Sequence, residues 1–363
     1  MTGVSGLLEG MRVLDAGIWR PVPHATQLLA DLGARVVKLE PPGGDPMRHF
    51  PELFAGVAGH KRSVVVDLRS AEGRRRALDL VARADVFAEG WRPGVAERLG
   101  LGWDDVHGVN RRIIYCSVSG YGRSGPLAQV PGHDVAYQAL AGALVPRPGE
   151  PSPPPLPRLP VADLAGGTLA ALVVCAAWSR RLADGDRFDG ERIDVAMTDV
   201  VASWVGTRSN VAMRDRSERL PGSAGYGVFR CVDGGLVALG VIAEDHFWEA
   251  VCDACDLEDL RALSYAERLG RVAECNARVA AALGALSTRE ALDRLTRVGA
   301  PVAPVLTAEE MAEHPQLVER GVVVDGATGP RIGFPARLDR HPARPPGPPP
   351  EPGAHGAVDD PWA

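Results

Sequence analysis

Two residues of this sequence, His133 and Asp163, have side chains suited to acid–base chemistry at neutral pH. His133 lies in the segment Pro131-Gly-His-Asp-Val-Ala-Tyr137, and Asp163 lies in Pro160-Val-Ala-Asp-Leu-Ala-Gly-Gly167. Both segments predict a helix N-terminus, and their separation in the chain is too long for one turn and suits two facing elements. An imidazole and a carboxylate across a cleft can take a proton from one face of a carbon and return it from the other.

Both residues also have structural interpretations. A polar residue at a helix start often caps free N–H groups, a role open to Asp134 as well, and the helix dipole favours a carboxylate at the position of Asp163. However, an ionised aspartate before so apolar a helix is costly to bury unless it is paired or functional. Gly166 and Gly167 would let another backbone or a ligand come close. These features favour a functional site.

A second set of candidates is basic and lies next to predicted strands. Ligands of α/β proteins bind beyond the carboxyl ends of strands, and arginine recognises phosphate by its fork of donors, although surface charge is the structural alternative. The candidates and their neighbours are Lys61, Arg62, Gly90, Trp91, Arg92 and Arg98. We therefore expect a local anion site in this part of the chain.

Composition indicates a globular protein of two domains, or of one large domain with an insertion. The chain has 363 residues, of which 45% are hydrophobic and 24% are charged. The net charge of −6 gives no general attraction to nucleic acid or to an anionic membrane. The chain also lacks a basic and apolar leader and an uncharged run of about 18 residues. Six cysteines, including the isolated pair Cys252 and Cys255, are interpreted as reduced core thiols. We expect a soluble, cytoplasmic protein without nucleic-acid or membrane partners.

Short β-rich runs alternate with amphipathic helical runs from residue 11 to about residue 120. This pattern predicts an α/β fold with a doubly wound, mostly parallel, Rossmann-like sheet. Helices are predicted over 164–182 and from 192 to about 206. The segment Ala16-Gly-Ile-Trp-Arg-Pro21 after the first strand lacks the G-x-G-x-x-G pattern. A nicotinamide or flavin cofactor is therefore not expected.

Changes in composition predict the domain boundaries. A large α/β domain over 1–205 would carry His133 and Asp163, with a proline-rich connector over 145–160. A linker over 206–226 would lead into a smaller α+β domain over 227–315, which contains a hairpin signal. Residues 316–363 would form a return segment and a proline-rich tail that is extended or mobile from about 341.

Several segments, in order from about residue 6 to about residue 320, resemble the family III CoA-transferase (CaiB/BaiF) and α-methylacyl-CoA racemase superfamily. The matching segments are 28–45, 61–70, 84–94, 97–102 and 117–126. The resemblance implies an acyl-CoA thioester as substrate, no metal or organic cofactor, and an interlocked homodimer. It also implies that coenzyme A contacts fall on Val66, Asp67, Leu68, Arg69, Gly90, Trp91, Arg92, Arg98, Gly132, Asp134 and Tyr137.

The resemblance also suggests which chemistry to expect. Members that act as racemases combine the aspartate with a Gly-His-Asp motif, matched here by Gly132-His133-Asp134, and place a glutamate against the histidine, for which Glu244 is the candidate. The glycine-run loop of the transferases is matched poorly by residues 221–227. The sequence therefore favours the racemase.

Three functions remain open at this point. The first is a racemase or epimerase that inverts the α-carbon of an acyl-CoA, with His133 and Asp163 as the two bases and with amides near residues 133–137 holding the enolate. The alternative is a CoA-transferase that uses Asp163 as nucleophile, and the third is a silent CoA-binding protein. Nothing in the sequence fixes the acyl group or the residue that orients His133.

Overall fold

The structure is a computed structural model that describes residues 6–146, 152–209, 222–326, 329–356 and 360–362. It divides into two compact units. The first unit combines Met1–Asn210 with Pro315–Ala363, and the second comprises Val211–His314.

A six-stranded sheet forms the centre of the first unit. Its strands are β1 (Arg12–Ala16), β2 (Arg35–Glu40), β3 (Arg62–Val65), β4 (Val86–Glu89), β5 (Ile114–Ser119) and β6 (Glu191–Ala196). All neighbouring strands are parallel, in the order β3-β2-β1-β4-β5-β6. This is a doubly wound arrangement whose direction of winding reverses between β1 and β4. The predicted fold class is confirmed.

Helices cover both faces of this sheet because consecutive strand residues point to opposite sides. In β1, for example, Val13 belongs to the core under one helical layer and Leu14 to the core under the other. The helices of the first part of the chain are α1 (Pro21–Asp31), α2 (Pro51–Ala58), α3 (Ala71–Val81), α4 (Val95–Arg98), α5 (Trp103–Val109), α6 (Asp134–Leu140), α7 (Val161–Asp184) and α8 (Met197–Ser209). Helices α1, α6, α7 and α8 contribute to the first core, and α3 and α5 contribute to the second.

The prediction of one helix from 192 to about 206 is wrong in its first part. Residues 191–196 form the edge strand β6, and α8 begins only at Met197. Ile193 and Val195 are buried, whereas Arg192 and Asp194 are exposed. This alternation is typical of a strand with one covered face. Helix α8 also extends to Ser209, into the predicted linker, and residues 210–221 of that linker lie outside the described residues.

The second unit contains a three-stranded antiparallel sheet and several helices. Its elements are β7 (Tyr226–Arg230), β8 (Leu236–Gly240), α9 (Asp245–Ala254), α10 (Glu258–Arg261), α11 (Tyr265–Gly270), α12 (Val272–Leu283), α13 (Thr288–Arg297), β9 (Val302–Pro304) and α14 (Ala308–Glu313). The predicted hairpin is confirmed, with Gly234 in the left-handed region (φ 86°) at its turn. A capping box of Ser287 and Glu290 begins α13.

The last part of the chain returns to the first unit. It includes α15 (Pro315–Glu319) and the antiparallel pair β10 (Val323–Gly326) and β11 (Gly329–Ile332). The described residues after 340 contain no helix or strand, but the tail is held along the sheet. The Gly353 N–H donates to the Ser63 hydroxyl (2.8 Å), and Trp362 is only 2% exposed. The tail therefore contacts β3 and contributes Trp362 to the core of the first unit.

Helix α7 is the one helix of the described residues that is long and apolar enough to cross a membrane by length and composition. Its buried face consists largely of alanine and glycine and contributes to the core beneath the sheet. Such a face is also typical of the core helix of a globular domain.

All six cysteines are free, and five of them are buried, as the sequence predicts.

Candidate active site

Two adjacent cavities lie at the carboxyl ends of the central strands. The first, which we call the histidine cavity, has a volume of about 370 Å³ and is lined by residues that follow β1, β4 and β5 and by His133. The second, which we call the β2–β3 groove, has a volume of about 410 Å³ and opens beyond β2 and β3. Ile18 and Trp91 line both cavities. The site thus lies where the strand order reverses, the usual ligand position in this class of fold.

His133 is the residue immediately before α6 and lines the histidine cavity. Its backbone is extended (φ −132°, ψ 171°), and its side chain does not cap the helix. Among the described residues, the imidazole has no hydrogen-bond partner that would fix its tautomer. The ring is therefore available to a ligand.

Asp134 connects the two helices that carry the candidate pair. One oxygen of its carboxylate accepts hydrogen bonds from the N–H groups of Ala162 (2.7 Å) and Asp163 (3.1 Å), in the first turn of α7. The residue preceding α7 is Pro160, whose side chain cannot act as a cap, so Asp134 supplies the cap from another helix. Asp134 thereby fixes the position of Asp163 relative to His133.

Asp163 is partly buried, and its pKa is raised to about 6, chiefly by burial and then by the charge of Asp134. The charges of Arg20 and His133 act in the opposite direction. These interactions put Asp163 within electrostatic range of His133, although Asp163 is not one of the residues lining the histidine cavity. Its carboxylate has no hydrogen-bond partner among the described residues. A carboxylate of this kind is ionised at neutral pH and more basic than an ordinary one.

Gly132 and Tyr137 shape the wall next to His133. The Tyr137 hydroxyl donates to the Gly132 carbonyl, and its ring contacts Tyr121 edge-on at 5.1 Å between centroids. A Cβ at Gly132 would lie 2.7 Å from the Tyr137 ring. A larger residue at position 132 would therefore force the Tyr137 ring to move, and Tyr137 is a buried wall of the cavity.

Most of the residues expected to contact coenzyme A line one of the two cavities. Val66, Asp67, Leu68 and Arg69 line the β2–β3 groove. Gly90, Trp91 and Arg92 line the histidine cavity, with Trp91 between the two spaces. Arg98 ends α4 and lines neither cavity, although its neighbour Leu99 lines the groove.

Trp91 is held in place by a buried charge cluster. The carboxylate of Glu89 accepts a hydrogen bond from the Trp91 N–H (2.7 Å) and pairs with Arg123 (3.3 Å). Burial raises the pKa of Glu89, and the Arg123 charge opposes that shift. This cluster fixes the partition between the two cavities.

Two expectations about basic residues are corrected. The Lys61 ammonium is buried and donates to Asp15 (2.9 Å), the Pro23 carbonyl (2.8 Å) and Thr26 (2.7 Å), so that all three of its donors are used inside the protein. Arg62 lies at the amino end of β3, where it lines a separate cavity of about 340 Å³. Lys61 therefore stabilises the protein interior beneath the site. Arg62 lies at the amino end of its strand, whereas the site lies at the carboxyl ends of the strands.

Glu244 belongs to the second unit, at the start of α9. Its carboxylate accepts a hydrogen bond from the Ile242 N–H (3.2 Å), which stabilises the local turn. Its role against His133 stays a prediction.

Two residues of the segment after β1 were not among the candidates. Trp19 lines the histidine cavity and has a positive φ of 61°, a strained conformation for an aromatic residue. Arg20 follows it and lowers the pKa of Asp163. The signal in the sequence is their position directly after the first predicted strand, where ligands of this class of fold usually bind. Among the residues that the structure describes, no cluster of histidine, cysteine and acidic side chains could hold a metal ion.

Comparison with known proteins agrees with this geometry. Residues 8–356 match the family model described as CoA-transferase family III. The chain is 32% identical to an acetyl-CoA:oxalate CoA-transferase of Acetobacter aceti, over 92% of this chain and 89% of that protein. It is 30% identical to a probable fatty acyl-CoA transferase of Mycobacterium tuberculosis, over 97% of this chain and 96% of that protein.

Solved structures share the fold. A CAIB/BAIF family protein from Brucella suis matches with a TM-score of 0.85 and 25% identity, over 97% of this chain and 98% of that chain. The crystal structure of Rv3272 from M. tuberculosis matches with a TM-score of 0.85 and 30% identity, over 98% and 99% of the two chains.

Proposed function

This chain belongs to CoA-transferase family III, and from that premise we propose that it transfers coenzyme A from an acyl-CoA to a carboxylic acid with Asp163 as the nucleophile. The relatives named above are transferases, which favours this function over the racemase that the Gly-His-Asp motif suggests. The observation that carries the proposal is the unpaired, partly buried Asp163 carboxylate, which lies in the first turn of α7 within electrostatic range of the cavity residue His133 and has a raised pKa of about 6.

The proposed reaction consists of balanced acyl transfers. The Asp163 carboxylate attacks the thioester carbonyl and the C–S bond breaks. The CoA thiolate departs, and a mixed anhydride of Asp163 and the donor acyl group remains. The thiolate then attacks the aspartyl carbonyl, which releases the first acid and forms an aspartyl-CoA thioester. An acceptor carboxylate then attacks the carbonyl of the aspartyl-CoA thioester and displaces the CoA thiolate, which leaves a second mixed anhydride. The thiolate finally attacks the acceptor's acyl carbonyl, so that the new acyl-CoA forms and Asp163 is freed. Each step exchanges one oxyanion or thiolate for another, so that no net proton is transferred.

We assign coenzyme A to the β2–β3 groove, with its thioester end directed past Trp91 towards the histidine cavity. Leu39, Val66 and Leu68 give the groove an apolar lining, and Arg69 adds a cation at its edge. A groove of this kind suits a ligand with an apolar ring and charged phosphates. The N–H groups at the start of α6 are candidates to hold the developing oxyanion.

Covalent trapping tests the proposal. The wild-type protein incubated with acetyl-CoA and hydroxylamine should acquire a hydroxamate on Asp163, detected by peptide mass spectrometry, and the Asp163→Asn variant should not. The rate of CoA release should fall as the pH drops below about 6, because protonation removes the nucleophile. Absence of the adduct together with absence of CoA exchange contradicts the proposal and leaves the racemase or a silent CoA-binding protein.

Racemisation is a second candidate, favoured by the position of His133. Its unpaired imidazole lines the cavity and interacts electrostatically with Asp163, an arrangement that would allow two bases to act on one substrate carbon. A racemase would incorporate deuterium from D₂O at the α-carbon of a 2-methylacyl-CoA without forming an adduct on Asp163. The His133→Ala variant should lose this exchange. A transferase would retain adduct formation in the same variant.

We further propose that the chain acts as a homodimer in the cytoplasm. Large apolar side chains are exposed on helices of the first unit, which suits coverage by a second copy. These side chains are Leu140, Leu172, Leu182 and Trp204. Light scattering during gel filtration should give twice the chain mass of 38.4 kDa. A mass of one chain at micromolar concentration would exclude the dimer.

A further inference from the structure

A third cavity, which we call the arginine cavity, lies at the amino ends of β2 and β3 and has no part in the proposed function. Its volume is about 340 Å³. Its lining consists of four basic residues, Arg35, His60, Arg62 and Arg344, together with Val36, Pro361 and Trp362. Among the described residues, no acidic side chain lines it. The basic residues come from β2, β3, the turn before β3 and the tail, so that the fold gathers them from distant parts of the chain.

The three arginines contact only neutral acceptors within the part of the chain that the structure describes. Arg35 and Arg62 donate to backbone carbonyls of the tail, and Arg344 donates to carbonyls just before β2, at N···O distances of 2.6 to 3.2 Å. None of the three forms an ion pair with a described carboxylate. Arg62 and Arg344 are partly buried. Since a guanidinium has five N–H donors, most of the donors around this cavity are unused.

The two nearest carboxylates do not neutralise this cluster. Burial raises the pKa of Asp31, the last residue of α1, and a hydrogen bond from Gln27 (2.7 Å) and the charges of His60 and Arg344 oppose that shift. Asp31 thus lies within electrostatic range of the cavity but bonds elsewhere. The Asp360 carboxylate accepts a hydrogen bond from the backbone of the tail itself (3.0 Å). Like charges gathered in this way favour the binding of an anion from solution.

The same lining contains a buried donor without an acceptor. Trp362 is only 2% exposed, and its indole N–H has no hydrogen-bond acceptor among the described residues. Buried N–H groups are nearly always satisfied, by the protein or by a bound molecule. An unpaired indole donor and three guanidinium groups with free donors, at one cavity, suit an oxyanion with several acceptor oxygens.

We propose that the arginine cavity binds an anion of the phosphate class, with a diphosphate group as the best match for three arginines. Guanidinium forks match phosphate oxygens with paired hydrogen bonds. A cavity of about 340 Å³ has room for such a group together with water, since one water takes about 30 Å³ in the liquid. The anion would bridge Arg344 of the tail to Arg35 and Arg62 of the sheet. This inference does not depend on the proposed transferase reaction, whose cavities lie at the carboxyl ends of the strands.

Calorimetric titration of the full chain with pyrophosphate tests the inference, at constant ionic strength and with saturating coenzyme A to fill the β2–β3 groove. The wild type should bind one pyrophosphate per chain. Arg62→Gln and Arg344→Gln should each weaken binding roughly 10- to 100-fold, because charge-assisted hydrogen bonds are lost. Arg75→Gln, which removes an exposed arginine of α3, should bind as the wild type does. Titration with ADP identifies the source: binding that also depends on Arg62 indicates a nucleotide, and binding of pyrophosphate alone indicates a free ion.

Hydrogen exchange gives a second readout, because a bridging anion should slow exchange of the tail amides over 341–356 in the wild type. The inference is overturned if pyrophosphate does not bind the wild type, or if both glutamine variants bind it as tightly as the wild type. It is also overturned if pyrophosphate does not bind and Arg62→Gln halves the mass in gel filtration, since the cations would then serve a second copy of the chain. Should the glutamine variants fail to fold, Arg62→Lys decides: weaker binding supports the inference, and unchanged binding overturns it.

Discussion

At the scale of single residues, the proposed nucleophile Asp163 is held at the expense of stability. Its carboxylate is partly buried and lacks a bonded partner, and the charge of Asp134 adds repulsion. Reactive groups in enzymes commonly destabilise the fold in this way. His133 and Arg20 offset part of the repulsion.

Replacement of Asp163 by asparagine should therefore stabilise the protein at neutral pH. The pKa of this carboxyl is about 6 in the folded state against an ordinary 3.8, so stability falls as the pH rises through this window. We expect a gain of about 1 to 2 kcal/mol at neutral pH, less than the full pKa difference implies because solvent screens part of the charge. Thermal unfolding should show this gain above about pH 7 and none below about pH 4. Asp79→Asn, on the exposed face of α3, is the control and should show no gain.

At the scale of elements, the site depends on how the first turn of α7 is held. Asp134 caps this turn from the start of α6, and the small residues of α7 allow close approach to α1. The two contacts position Asp163 relative to His133 and to Arg20 respectively. Each can be perturbed separately.

Two substitutions at Asp134 should separate its capping role from its charge. Asparagine can still accept the hydrogen bonds of α7 but removes the negative charge, so the Asp163 pKa should fall with little loss of stability. Alanine removes both and should cost about 1 to 2 kcal/mol. The pH dependence of adduct formation and the urea unfolding midpoint measure the two effects. An unchanged pH profile in both variants would show that the Asp134 charge does not act on Asp163.

Gly167→Ala should disturb the contact between α1 and α7. The new Cβ would meet the Pro21 carbonyl oxygen at 2.5 Å, so one backbone must move. We expect a loss of about 1 to 3 kcal/mol in stability and a larger loss in adduct formation. Gly56→Ala in α2 is the matched control, since nothing lies within 4 Å of its Cβ. The control should be stabilised by up to about 1 kcal/mol. Equal stability changes in the two variants would contradict a steric role for Gly167.

At the scale of the whole molecule, the two ends of the strands have different roles. Both site cavities lie at the carboxyl ends, whereas the returning tail lies at the amino ends of β2 and β3. Arg35 donates to the Trp362 carbonyl (2.6 Å), and the Trp362 ring packs into the core that contains α3 and α5. The tail thus covers the amino ends of β2 and β3, away from both site cavities.

Trp362→Ala should destabilise the first unit by about 3 kcal/mol or more, because it removes a large buried side chain. Trp362→Phe should lose less, since much of the ring area is retained. Urea unfolding followed by hydrogen exchange in β2 and β3 measures the effect. Adduct formation at Asp163 should persist in the folded fraction. Unchanged hydrogen exchange in β2 and β3 would show that the tail does not stabilise these strands.

The sequence by itself determined the elements whose signals are local. Alternation of apolar runs identified the parallel sheet, and the two helix starts at His133 and Asp163 followed from their flanking residues. The edge strand β6 was mistaken for a helix because its pattern is short and continues directly into α8. The sequence predicts Lys61 as a ligand contact, because sequence position does not reveal that a cation faces a buried carboxylate such as Asp15.

Only the tertiary structure decided which groups meet. Residues far apart in the chain become neighbours when parallel strands bring their carboxyl ends together. This arrangement brings Trp19 to the histidine cavity, and the charge of Arg20 acts on Asp163. The cap that Asp134 gives to α7 joins two helices through a single carboxylate, and no local pattern specifies such a pair. Burial raises the pKa of Asp163, and burial is a property of the folded chain rather than of any segment.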